Sequence, residues 1–352
     1  MGILKKPYQP EYFNFDESLL AQLAHEYGVS RSLRLCPILL DGDYCTLVDV
    51  RSATSKKMIL EADGRWLFLK QMPWYCDDAT VEFAVDWQNA LSAASFSVPG
   101  ILRTAEGRQI LRSGGARLML FEYVRGARYQ ARPEEYRAAA ATLATLHSLP
   151  GPDEGPRSDA FQDAVEHARL ACESLPGAPA LSEAMDEAEA VLRSWEMQAA
   201  RLGWEELPRR AVHGDYSPWN LVFSETGEVM AVLDFDNAHM GPVIRDVMEA
   251  VLTFCCVRYA SDSTTFSADI PDPLPQARAQ EMLASYESVR SLSARERECA
   301  AFAAGAVALE IVCLGLIRGD YEPGSAGRLL AWAKGVQEDV QHLLSRTAGG
   351  TR

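Results

Sequence analysis

The chain has 352 residues, with 34 Lys and Arg against 49 Asp and Glu and a formal charge of −15. Hydrophobic residues at 48 % and charged residues at 24 % exclude a disordered or fibrous protein. The acidity speaks against nucleic acid as the main partner, because phosphate backbones are held by clustered Lys and Arg.

At roughly 150 residues per domain, the length suggests two lobes with a cleft between them. The start, MGILKKPYQPEYFNF, lacks an apolar stretch with a small-residue cleavage site. A cytoplasmic protein without a secretory signal is therefore expected. The eight cysteines show no CxxC or Cys/His metal spacing, so neither a disulfide framework nor a zinc site is expected. Ala300 to Ile317 is the most membrane-like run. It is interrupted by Glu310 and barely reaches spanning length, which predicts a buried core helix and no membrane partner.

In chain order, Asp16–Tyr27 places Leu19, Leu20, Leu23 and Tyr27 on one helical face, and Gly28 stops it. From Cys36 to Gln71 the runs PILL, CTLVDV, KMIL and RWLFLK alternate with turn residues and predict an antiparallel sheet. A helix follows over Val81–Ala94. Further strands are expected at 101–102, 109–111 and 117–124, giving about five strands with one inserted helix. After Gly126 the pattern is helical over Pro133–Leu149, Asp159–Ser174 and Leu181–Leu202, and again in two or three helices after Pro275. The exception is Ala211–Asp236, which predicts two short strands around a hairpin. Strands first and helices later make this an α+β chain. The lobes are placed at residues 1–126 and 127–352.

The hairpin region carries the chemistry. His213-Gly214-Asp215-Tyr216-Ser217-Pro218-Trp219-Asn220 is followed after the hairpin by Leu233-Asp234-Phe235-Asp236. Phosphoryl transfer needs a carboxylate on the acceptor hydroxyl, hard oxygens for magnesium and cations on the phosphates. One tight turn can aim Asp215 and Asn220 into the cleft, and Asp234, at a strand end, can meet the same ion as Asn220.

The run HGDxxxxN, LDFD nineteen residues after the motif Asp, and the continuation NAHMGPxxRD resemble the aminoglycoside phosphotransferase, choline kinase and type II homoserine kinase superfamily. That resemblance implies a protein-kinase-like bilobal fold, with a small antiparallel sheet and one helix in the N-terminal lobe and a larger, mainly helical C-terminal lobe. It implies an ATP- and Mg2+-dependent kinase with an alcohol group as acceptor. Asp215 would be the base, Asn220 and Asp234 the magnesium ligands, and Lys70 the phosphate-binding lysine at the end of RWLFLK.

The resemblance also implies a helix glutamate for Lys70, with Glu82 preferred over Asp86. It implies a phosphate loop at Ser52-Ala53-Thr54-Ser55-Lys56. That loop has no glycine, so Ser52, Thr54 and Ser55 are its candidate contacts, with Lys56 or Lys57 adding charge. Main-chain groups near Glu122 and Val124 would hold adenine between Phe121, Leu221 and Leu233. His213 and His147 are expected as scaffold residues, and Asp246 as a buried brace beneath the catalytic loop. Asp236 is left between metal, brace and acceptor roles.

The acceptor is expected among Tyr259–Pro275 and the helix bearing Glu310. Asp262, Asp269, Asp272, Glu310 and Asp320 are the carboxylates there for an amine-bearing substrate, Glu310 first because it interrupts an apolar helix. Three readings stay open: a kinase of a small hydroxylated molecule (aminoglycoside-, amino-alcohol- or homoserine-like), a kinase of Ser/Thr in a natural-product peptide, and a nucleotide- or partner-binding pseudokinase.

Overall fold

The computed structural model describes residues 17–29, 34–35, 57–73, 76–158, scattered positions from 186 to 195, 197–257, 271–318 and 321–348. The loop candidates Ser52, Thr54 and Ser55 lie outside the described residues, as do Asp262, Asp269, Asp320, the runs PILL and CTLVDV, and the helix predicted at 159–174.

Among the described residues, the first lobe is a five-stranded sheet with a helix on each side. Its strands are β1 (Arg34–Leu35), β2 (Lys57–Ala62), β3 (Arg65–Gln71), β4 (Leu111–Ser113) and β5 (Ala116–Glu122), in the order β1-β2-β3-β5-β4, every pair antiparallel. Side chains alternate along a strand, and the two faces have different fates. Leu60, Leu67, Leu69, Leu118 and Leu120 pack with Leu19 and Leu23 of α1 (Glu17–Glu26). Phe68, Met119 and Phe121 turn the other way, toward Val81 and Val85 of α2 (Asp78–Ala93). Lys70 shares the parity of Phe68 and so is carried to the face that borders the cleft. The predicted strand at 101–102 is only a single bridge from Ile101 to Phe121, and the one at 109–111 starts at Leu111.

Asp77 caps α2 by accepting a 2.8 Å bond from the Thr80 amide. One side of this helix belongs to the sheet. Its Phe83, Trp87 and Leu91 join the core of the second lobe, where Trp87 meets Phe235 edge-on at 5.3 Å. The chain crosses between lobes after Glu122, and by Ala127 it already pairs with Phe223, the amide of each donating to the carbonyl of the other at 2.6 and 2.9 Å. Gly126 permits this approach: a Cβ there would lie 2.3 Å from Val222 Cγ1.

The second lobe contains α3 (Pro133–Ser148), four short strands, and the helices α4 (Val243–Cys255), α5 (Gln276–Glu287), α6 (Ala294–Arg318) and α7 (Ala326–Ala348). The hairpin expected within 211–236 is β7 (Leu221–Phe223) and β8 (Val229–Val232), and it is flanked by two strands that were not expected, β6 (Arg209–Val212) and β9 (His239–Pro242). They pair as β6 with β9 and β7 with β8. This nesting matters for function. Val212 opposes His239 and Leu221 opposes Val232, so the turns 213–220 and 233–238 emerge side by side. The strands β6 and β9 are four residues long and carry Arg and His, too short and polar for an alternation signal.

The span Ala294–Leu316 is long and apolar enough to cross a membrane by composition, but 78 % of that window is buried. It packs on α4 and α7, and its Cys299, Ala303, Val307 and Val312 are core residues.

Candidate active site

The two neighbouring turns are bound together by buried polar groups. Asp246, on the first turn of α4 and fully buried, accepts hydrogen bonds from the His213 amide at 2.6 Å and the Gly214 amide at 2.9 Å. His147 of α3 lies 3.3 Å from the same carboxylate through Nε2 and 2.9 Å from the Tyr286 hydroxyl through Nδ1. Burial opposes the charge on Asp246, but the hydrogen bond and charge of His147 hold its carboxyl well below the usual range.

Gly214 has φ +74°, and a Cβ there would lie 2.2 Å from the Asn237 carbonyl oxygen. Only glycine fits both the backbone conformation and the space. The His213 ring then spans the turns: its Nδ1 accepts from the Asp215 amide at 3.3 Å, which leaves Nε2–H to donate to the Leu233 carbonyl at 2.9 Å. Burial pushes the His213 pKa down and keeps the ring in this neutral form.

Asp215 is half-buried, and Asn220 at the other end of its turn donates to it through Nδ2, at 2.8 Å to the main-chain oxygen and 3.0 Å to the carboxylate. Tyr216 anchors the turn to α3 through a 2.8 Å bond to the Ala139 carbonyl. From the second turn, Asp234, at φ 64°, receives Lys70 at 2.6 Å and Lys57 at 2.8 Å. Asp236 lies 2.6 Å from Lys70.

The electrostatics of this group are mutual. Burial alone would depress Lys70, but Asp234 and Asp236 override it and hold the ammonium above its ordinary value. Burial likewise works against Asp234, yet the two lysines keep it well below the carboxylate range. Asp236 moves the other way. Burial, with the charge of Asp234 beside it, outweighs Lys70 and pushes it up to about 6.

These groups line one cleft between the lobes. Lys57, Lys70, Asn220, Asp234 and Asp236 stand at its polar end, while Phe68, Met72, Met119, Phe121 and Leu233 form apolar walls beside Glu122 and Val124 of the interlobe segment. Leu221, expected as a wall, is instead fully buried in the core of the second lobe.

Residues 52–292, well over half of the chain, match the phosphotransferase enzyme family, APH. The chain belongs to that family. No curated protein matches it at a significant level. This phosphotransferase is similar in structure to a microcompartment-associated aminopropanol kinase (19 % identity, TM-score 0.55, covering 94 % of this chain and 98 % of the other). It is also similar to an amicoumacin kinase in complex with AMP-PNP and Ca2+ (14 %, TM-score 0.62, 95 % and 94 %) and to a Plasmodium vivax ethanolamine kinase (12 %, TM-score 0.60, 92 % and 91 %). At these identities the likeness establishes a shared protein-kinase-like fold.

Two expectations for the phosphotransferase, at Glu82 and Glu310, are corrected by the geometry, and the open one at Asp236 is given a place. Glu82, expected to pair with Lys70, is exposed, as is Asp86; α2 turns Ala84 and Gln88 to the cleft, and the lysine takes its carboxylates from the 233–238 turn. Asp236, left open between metal, brace and acceptor roles, stands on Lys70 at the polar end of the cleft. Glu310, expected to be open to an amine, is bonded to Arg245 Nη2 at 2.8 Å, and Arg245 Nη1 also reaches Glu249 at 3.3 Å.

Arg245, Glu249 and Gln88 were missed. Arg245 and Glu249 are four apart on α4, a spacing that predicts an ion pair, but nothing in the sequence says that Glu310 of α6 joins them. Gln88 offered no signal, since a neutral amide on an apolar helix face carries no charge to pair with Lys70.

Proposed function

We propose that this phosphotransferase is ATP- and Mg2+-dependent and transfers the γ-phosphoryl group to a hydroxyl of a small, amine-bearing molecule. The observation that carries this reading is the convergence of Lys70, Asn220 and Asp234 on one cleft, with Asp215 hydrogen-bonded to Asn220. The aminopropanol, amicoumacin and ethanolamine kinases support the class of acceptor, and the AMP-PNP of the amicoumacin kinase supports the nucleotide.

The strand lobe, residues 1–126, takes the nucleotide, and residues 127–352 supply the catalytic groups and the acceptor site. Adenine lies among Phe68, Met119, Phe121 and Leu233, near the main chain of Glu122 and Val124. The Glu122 amide donates to the Gly100 carbonyl at 2.8 Å, so Glu122 offers its main-chain oxygen to the base. Lys70 binds the α and β phosphates.

The donor set fits a hard divalent ion. Asp234 is held anionic, and Asn220, its Nδ2 committed to Asp215, has its side-chain oxygen left to coordinate. Among the described residues no group of three His, Cys, Asp or Glu could hold a metal. Mg2+ does not require one, because it takes one or two protein ligands together with substrate phosphates and water. When bound, the ion neutralises charge on the transferring phosphoryl group. Asp215, its carboxylate fixed by Asn220, accepts the hydroxyl proton of the acceptor as that oxygen attacks the γ phosphorus and the β–γ bridging oxygen leaves with ADP.

The acceptor amine is assigned to Glu249, which accepts from Arg245 Nη1 at 3.3 Å. Burial pushes Glu249 well above its ordinary value, and the charge of Asp215 adds to the rise. Glu249 and the base therefore share one electrostatic neighbourhood. With its carboxyl held toward the neutral form, Glu249 would ionise beside an added cation, and the amine of the acceptor is that cation.

An ATP-consumption assay over amino alcohols, aminoglycosides and Ser/Thr peptides, with mass detection of product, tests this. A small molecule carrying one added phosphoryl group is expected. Phosphopeptide as the only product, or no turnover with any member, would overturn it.

A further inference from the structure

We infer that Lys57 is a second phosphate-binding cation of this site, acting with Lys70 on the polyphosphate of the nucleotide; the inference rests on the nucleotide reading above. Lys57 and Lys70 are directly opposed partners in the β2–β3 register, so their side chains leave the sheet on the same face. Both line the cleft, and both end on one carboxylate, Lys57 on Asp234 Oδ2 and Lys70 on Oδ1. Their side chains retain only 12 % and 4 % of their exposure.

Like charges directly opposed on neighbouring strands repel and destabilise a sheet. Two partly buried ammonium groups at such a position require a shared anion. Asp234 serves both in the structure, and Asp236 serves Lys70 alone. Asp234 is also the carboxylate assigned to the divalent ion. Once it turns to a metal, Lys57 is left as a cation at the polar end of the cleft with no carboxylate of the 233–238 turn dedicated to it. A polyphosphate oxygen is the group that the reaction brings to that place.

Lys57 thereby supplies from the sheet a charge on the phosphates that the glycine-free segment before it does not provide through a glycine-rich backbone. The sequence offers Lys56 or Lys57 as an added charge, and the strand register supports Lys57, which faces Lys70 and shares its counter-ion.

The test is equilibrium titration of the full chain with ATP, ADP and AMP, in Mg2+ and in EDTA, for the wild type, Lys57→Ala and Lys57→Arg, with circular dichroism to establish that each variant is folded. Loss of one charge-assisted phosphate contact should weaken ATP and ADP binding to Lys57→Ala about tenfold in Mg2+. AMP binding should be unchanged and Lys57→Arg should recover most of the loss. In turnover, the KM for ATP should rise more than kcat falls.

Equal ATP affinity in wild type and Lys57→Ala would overturn the role of Lys57 and leave the nucleotide reading intact. An equal loss for ATP and AMP would also overturn it, since it would mark Lys57 as a support of the cleft rather than a phosphate ligand. A wild type that binds none of the nucleotides would overturn the nucleotide reading and this inference together.

Discussion

Asn220 holds Asp215 at two points, its Nδ2 lying 2.8 Å from the main-chain oxygen and 3.0 Å from the carboxylate. A side chain at one end of the turn thus fixes both the backbone and the rotamer of a residue at the other end. The carboxylate is presented in one orientation, and the amide oxygen of Asn220 remains for another partner. Positioning of this kind is what phosphoryl transfer asks of a protein that does little covalent chemistry itself.

The first prediction separates the two residues. Asp215→Asn removes the proton acceptor but keeps a side chain of the same shape, and Asp215 does not line the nucleotide end of the cleft. Phosphoryl transfer should fall about a hundred- to ten-thousand-fold, while ATP affinity measured by titration is retained. Asn220→Ala loses the clamp and the proposed ligand to the ion, so both turnover and Mg2+-supported ATP binding should fall. Full activity in Asp215→Asn would remove Asp215 from the mechanism.

A second prediction concerns the brace beneath the turn. Asp246 satisfies two backbone amides in a site with no solvent exposure. In Asp246→Ala both amides and His147 Nε2 are left unpaired, which should cost about 3 kcal/mol or more of stability in urea unfolding. Asp246→Asn keeps one acceptor oxygen and should recover part of that stability. Its kcat should still fall, with little change in the KM for ATP, because the turn that carries Asp215 is loosened while the cleft is intact. A proportional rise in the KM for ATP would show that the brace serves the nucleotide site instead.

Much of this site is legible in the sequence because its parts lie on two short runs, HGDxxxxN and LDFD, and the strands that carry them pair in register. The lysine strand is legible for a related reason: RWLFLK is an apolar run that follows the Asp63-Gly64 turn and ends in a cation. Pairings made across the fold are not legible. Glu82 looked like the partner of Lys70 because it opens the helix that follows. The helix phase turns it to solvent, and the lysine meets Asp234, 164 residues away. The link from Arg245 to Glu310 is of the same kind, joining α4 to α6. Likewise β6 and β9 were not expected, since RRAV and HMGP carry Arg, His, Gly and Pro in place of an apolar run and only their pairing defines them.

Gly214 gives a third prediction. Its φ of +74° is unfavourable for any L side chain, and the space that a Cβ would need is held by the Asn237 carbonyl oxygen, 2.2 Å away. That oxygen is backbone and also accepts from His239 Nδ1 at 2.8 Å, so it cannot easily move aside. Gly214→Ala should destabilise the protein by about 1–3 kcal/mol from conformational strain, before the clash is counted. Turnover should fall beyond what the unfolded fraction explains, because relief of the clash separates the two turns. Wild-type stability would mean that these turns are not packed as described.

The final prediction is a pH dependence. Because His239 Nδ1–H donates to the Asn237 carbonyl, its Nε2 carries a lone pair, and this buried nitrogen has no hydrogen-bond partner. Burial, with Arg245 nearby, lowers the pKa from 6.5 to about 4. Between those values the unfolded chain binds a proton that the folded protein rejects, so stability rises with pH through this window. Acidification from pH 7 should therefore begin to destabilise the fold near pH 6.5, with the contribution of His239 reaching about 3 kcal/mol below pH 4. His213 is lowered by burial in the same direction and adds to the trend. His239→Phe keeps a ring of similar shape and removes the titration. Its unfolding free energy at pH 7 should drop because the bond to Asn237 is lost, but the further decline between pH 7 and pH 4.5 should be smaller than in the wild type. Urea unfolding at the two pH values measures both, and parallel declines in the two proteins would exclude His239 as a source of acid sensitivity.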